Sequence, residues 1–214
     1  MIEVGCKMKS KKSIFIILLV AVVIVCIIIF FLKNNYKIAN VGNNISNKTL
    51  DECEKYIFNI NSYEATAEIT VQSNKNTNKY IVKQNVNKDE SLQEILEPEN
   101  VKGVKIKYKD KKLTITNTEL DLKKIYEDYP YIEDNILFLT DFISKYKEAK
   151  ENNNVSISEE ENMVIFTINN GSKYRKNEKL YINEDTGMPI KLIVQDDNKK
   201  DTVYILYNET KINN

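Results

Sequence analysis

One run of side chains restricts this chain more than any other: Ile14 to Leu32 are 19 consecutive apolar residues. Wound as a helix at ~1.5 Å per residue, they extend roughly 28 Å, enough for the ~30 Å hydrocarbon core of a bilayer. Lys7, Lys9, Lys11 and Lys12 precede the run, so the positive-inside rule keeps the N-terminus in the cytoplasm. Four segments follow as expectations: a basic cytoplasmic leader (1–13), a transmembrane anchor (14–32), a polar tether (33–48) and an extracytoplasmic domain (49–214). A cleaved signal peptide would have a shorter apolar core and a small-x-small site, whereas Lys33, Asn34 and Asn35 follow this one. Lipidation at Cys26 is the alternative, but Val25 stands where such a site carries a small residue, and Ile27 to Leu32 continue the apolar run.

Charge and residue usage exclude several function classes. Residues 33–214 carry 27 basic and 30 acidic groups, a net charge of −3, which gives no footprint for nucleic acid. The chain contains no histidine, so Ser-His-Asp and Cys-His pairs and His-rich zinc sites are out of reach. There is no Gly-rich phosphate loop, and no cofactor is expected. Cys6 lies in the leader, Cys26 in the anchor and Cys53 in the exported part, so a bridge at Cys53 would join two copies. Leu50, Cys53, Ile57 and Ile60 recur at helical spacing, however, and that places Cys53 on an apolar face as a buried thiol.

Acid pairs alone could serve glycoside hydrolysis. Asp196-Asp197, Glu159-Glu160-Glu161 and Glu184-Asp185 are the candidates, and each falls in an expected turn, where solvated carboxylates are ordinary. No catalytic or metal-ligating residue is therefore assigned.

Periodicity supplies the architecture. Thr49-Leu50-Asp51-Glu52 fits a capping box, opening a short helix to about Asn61. Period-two alternation then predicts strands over Tyr63–Val71, Tyr80–Val86, Ser91–Glu97, Val104–Tyr108 and Leu113–Thr118. Ile132, Ile136, Leu139, Ile143 and Tyr146 predict a long helix over 131–150. Alternation resumes at Val164–Ile168, Leu180–Ile182, Ile190–Val194 and Val203–Tyr207. The fold class is α+β: about ten antiparallel strands in a curved sheet, an open half-barrel packed on one long helix, behind a single N-terminal transmembrane helix. Its concave face either holds an apolar ligand or is filled by that helix.

The hairpin Leu180 to Lys191, with Asp185-Thr186-Gly187-Met188-Pro189 at its turn, resembles that of the LolA/LppX/RseB-like superfamily, extracytoplasmic half-barrels that bind lipids or regulatory partners. Ile95 to Gly103, Asn61 to Ala65 and Asn78 to Tyr80 are similar to the GerS-related germination lipoprotein family, the likeness covering roughly residues 49–212. It implies a LolA-like, non-enzymatic binding module that supports a CwlD-type amidase in converting muramic acid to muramic-δ-lactam in spore cortex. The amidase would carry the zinc and the catalysis. The other role implied by the superfamily is an envelope sensor or carrier of a lipid-like ligand. Sites for the partner, and a homodimer, stay open at this level.

Overall fold

Alternating apolar residues on successive segments have one economical outcome, a sheet with one face covered, and that is what forms. The computed structural model describes residues 49–127, 137–169 and 175–213. The leader, the anchor 14–32, Cys26, the tether and the first part of the expected long helix lie outside the described residues. Among the described residues no helix is long and apolar enough to cross a membrane.

Helix α1 (Leu50–Phe58) opens on the expected capping box, the Glu52 carboxylate accepting the Thr49 N–H at 2.9 Å. It buries Cys53, Glu54 and Ile57. It stops at Phe58 rather than Asn61, though Ile60 remains in the core.

Six strands follow: β1 (Tyr63–Gln72), β2 (Thr77–Val86), β3 (Ser91–Glu97), β4 (Lys105–Lys109), β5 (Lys112–Asn117) and β6 (Leu122–Glu127). After α2 (Leu139–Glu151) come β7 (Val155–Glu160), β8 (Met163–Ile168), β9 (Asn177–Asn183), β10 (Pro189–Gln195) and β11 (Asp201–Ile212). All eleven join one antiparallel sheet in the order β6-β5-β4-β3-β2-β1-β11-β10-β9-β8-β7. The last strand is thus central, pairing Tyr63 with Ile212 at one end and Val71 with Val203 at the other.

Two expectations need correction. The sheet has eleven strands rather than about ten, because the weak alternation of β6 and β7 does not distinguish them from loop. The helix begins at Leu139, since Phe138 is extended (φ −85°, ψ 149°) and acts as its N-cap.

One face of the sheet carries the core. Tyr63, Ala65, Ala67 and Ile69 of β1 meet Ile205 and Tyr207 of β11, Leu192 of β10, Leu180 of β9 and Phe166 of β8. Helix α2 lays Leu139, Phe142, Ile143, Tyr146 and Ala149 onto this face, a stripe at helical spacing. Tyr146 is the hinge of the aromatic packing, edge-on to Phe166 at 5.6 Å and to Phe58 of α1 at 6.0 Å. Glu54 of α1 and Lys150 of α2 form an ion pair across the two helices.

Candidate functional site

A chain of buried polar groups fixes α2 on the sheet. The Leu139 N–H donates to the Tyr63 hydroxyl at 3.0 Å, which donates to Gln84 Oε1 at 2.8 Å. Gln84 Nε2 in turn donates to Gln93 Oε1 at 2.9 Å. One orphan N–H of the first helical turn is thereby satisfied by β1, and the relay continues through β2 and β3. Burial pushes the Tyr63 phenol far above its ordinary value, so it stays protonated and can donate. Sequence reading missed this relay because Tyr63 and Gln84 stand at inward positions indistinguishable from core.

At one end of the helix-covered face, α2, the α1–β1 connection and the β2–β3 and β4–β5 turns border an open groove of about 550 Å³. Asn61, Asn87, Tyr108, Ile143, Ser144 and Lys147 are among its lining residues. Asn87 Oδ1 accepts the N–H groups of Asp89 (2.9 Å) and Glu90 (3.0 Å), holding the β2–β3 turn in shape. Lys147 donates to the Phe58 carbonyl at 3.0 Å and stands over the Phe58 ring at 5.1 Å. Lys107, 2.5 Å from Glu90, holds that carboxyl below its usual range through a direct hydrogen bond. Amides, hydroxyls, ammonium groups and carboxylates line the groove together, which suits recognition of a polar, solvated surface.

A second charged group sits beside the first turn of α2. Arg175 makes a two-pronged contact with Glu178, 3.1 Å from Nε and 2.8 Å from an η nitrogen. Asp141 pairs with Lys145 at 3.2 Å. Burial raises the Asp141 carboxyl to about 6, against the opposing pull of Lys145 and Arg175.

The acid pairs read from sequence are dispersed. Asp196 Oδ1 accepts the N–H groups of Asn198 and Lys200, both at 2.9 Å, and so shapes the β10–β11 turn. Glu159, Glu160 and Glu161 are exposed at the β7–β8 hairpin. Asp185 is exposed in the β9–β10 turn, whose Asn183 Oδ1 accepts from the Thr186 N–H and hydroxyl. Among the described residues no three His, Cys, Asp or Glu side chains are grouped to hold a metal ion. Cys53 is 1% exposed within the core, so reaching a second copy would require α1 to leave the sheet.

Against known families, the description "Sporulation protein YdcC-like" matches residues 11–214. The chain belongs to the YdcC-like sporulation protein family. No curated protein matches it. Among solved structures, the complex of the CwlD amidase from Clostridioides difficile with the GerS lipoprotein is similar at 25% identity and a TM-score of 0.47, covering 75% of this chain and 94% of that one. An uncharacterised conserved protein from Thermus thermophilus has 14% identity and a TM-score of 0.49, covering 77% and 85%. The LolA superfamily protein NE2245 from Nitrosomonas europaea has 10% identity and a TM-score of 0.39, covering 77% and 92%. The YdcC-like family assignment rests on the family match, and the open eleven-stranded antiparallel sheet on the coordinates described above.

Proposed function

We propose that this YdcC-like chain is a non-catalytic binding module of a sporulating cell, tethered by residues 14–32 with its sheet domain outside the cytoplasmic membrane. Its partner is a cell-wall amidase of the CwlD type, and its role is to support that enzyme during modification of spore-cortex peptidoglycan. Membership of a sporulation family over residues 11–214 carries the reading. The sequence segments Ile95–Gly103, Asn61–Ala65 and Asn78–Tyr80 supply the partner class through their likeness to GerS-related proteins. The interior between sheet and helices favours docking over carriage, because Phe142, Tyr146 and Phe166 fill it, each at most 1% exposed.

The test is affinity capture of the tagged full-length chain from detergent-solubilised membranes of sporulating cells. Recovery of a peptidoglycan amidase is expected, and its absence overturns the partner assignment. Organic-solvent extraction of the same preparation distinguishes a carrier, which would release lipid in stoichiometric amount. Added protease digests the sheet domain in intact protoplasts if the orientation is as proposed; protection until lysis overturns it.

A further inference from the structure

Among the described residues strand β6 is one edge of the sheet, and its sequence carries a pattern that matches itself. Its register on β5 sets Ile125 opposite Thr114, Glu127 opposite Lys112 and Lys123 opposite Thr116, all on the helix-free face. Lys124 and Tyr126 lie on the helix-covered face, opposite Ile115 and Leu113. Leu122 is 45% and Ile125 49% exposed, so the apolar side chain at the centre of the strand is accessible. An edge of this kind offers a row of backbone donors and acceptors to another strand.

We propose that two copies of the chain join antiparallel through β6, about a two-fold axis at Ile125. That one register sets Lys123 opposite Glu127 of the second copy, Lys124 opposite its Tyr126, and Ile125 opposite its own counterpart. Directly opposed residues of an antiparallel pair share a face, and each of these pairs does so. The two-fold repeats every contact, giving four ion pairs or ammonium–ring contacts around an apolar centre. Within one copy Lys124 already stands 4.9 Å from the Tyr126 ring centroid, so the ammonium–ring contact is sterically available. Glu127 contacts Lys112 at 2.8 Å and retains a second oxygen for Lys123 of the other copy.

The other edge does not offer this. β7 ends in Glu159 and Glu160 and carries no lysine, so self-pairing would leave its acids without counterparts. In an alternating sheet of eleven strands the two edges run in the same direction, so β6 against β7 would build an open array. β6 against β6 closes as a dimer. The lysines at the centre of β6 guard against indiscriminate edge pairing, and the stated register sets Lys123 opposite a carboxylate. A single short strand pair buries less than the ~1,200 Å² of a standard interface, so association is weak and covalent trapping is the suitable readout.

The experiment uses the full chain in detergent micelles with Cys6→Ser, Cys26→Ala and Cys53→Ala. In that background Ile125→Cys sets two thiols across the axis, where opposed Cα atoms at ~4.5–5.5 Å fit a disulfide. A disulfide-linked dimer is expected for Ile125→Cys and not for Ser158→Cys on the other edge. Adding Lys123→Glu or Glu127→Lys alone should lower the yield by about tenfold, since each sets like charges opposite each other. Mixing the two variants restores complementary pairs at both positions and should restore the yield, which damage to folding could not do. Equal yields from Ile125→Cys and Ser158→Cys overturn the proposal, as does a mixture no better than its separate components. The inference stands apart from the proposed amidase partner, so either can fail alone.

Discussion

Two buried tyrosines on neighbouring central strands do opposite things to stability. The Tyr63 hydroxyl accepts from Leu139 and donates to Gln84. Tyr63→Phe leaves both groups buried without their partner, and urea denaturation should show a loss of about 1–3 kcal/mol. The Tyr207 hydroxyl is buried with no hydrogen-bond partner among the described residues. Tyr207→Phe removes that uncompensated group and should raise stability by about 1 kcal/mol in the same assay. Asp141 gives a residue-scale dependence on pH. Its carboxyl is raised to about 6 chiefly by burial, so the folded state holds a proton that the unfolded chain, at ~3.9, has already released. The stability associated with that proton is complete below about pH 4 and is lost as pH rises through 6. Asp141→Asn mimics the protonated form. Its melting temperature should exceed the parent's at pH 7, by the equivalent of at most ~3 kcal/mol, and the two should converge below pH 4. A variant less stable at pH 7 would show that the Lys145 contact outweighs the burial cost.

At the scale of elements, the β9–β10 hairpin was readable because its turn chemistry is local. Gly187 has φ +69° and its N–H meets the Asn183 carbonyl at 2.8 Å, while Pro189 opens the return strand. Gly187→Ala should therefore cost about 1–2 kcal/mol by thermal denaturation, with the sheet otherwise intact. The strands with clean alternation, β1 to β5 and β8 to β11, were legible for the same reason: one face is covered and the other is not. β6 was not, since Lys123 and Lys124 interrupt any period and an edge strand has only one neighbour to satisfy. β7 shows just Val155 and Ile157 before its acids. The helix-covered face could be assigned residue by residue, but the groove could not. Its lining comes from three separate connections and one helix face, and Asn61, Asn87 and Ser144 carry no local sign that they converge. Arg175 and Glu178 were equally silent, because their meeting with Asp141 depends on where α2 crosses the sheet.

The sheet domain is organised by a strand that follows the other ten in sequence and sits in the middle of the sheet. β11 pairs with β1 on one side and β10 on the other, so it is the seam between the half-sheet β1–β6 and the half-sheet β7–β10. Among the described residues neither half has another strand through which to reach the other. The pairing of Tyr63 with Ile212 spans nearly the full length of the domain, and long loops must close before it returns any energy. Ile205 and Tyr207 also contribute core side chains at the centre of the helix-covered face. Ending the chain at Lys200 should consequently do more than remove one strand. It leaves β1 and β10 with open edges and exposes the apolar stripe of α2, so the cooperative transition should be replaced by a broad one with strong binding of a hydrophobic dye. Loss of β6 or of β7 would have a smaller effect, because each borders a single neighbour. Hydrogen exchange on the intact chain gives the complementary measurement. The amides of β1 and β11 should exchange only through global unfolding, while those of β6 and β7 exchange through local fraying. Equal protection from seam to edge would mean that the two halves are held together by something other than β11.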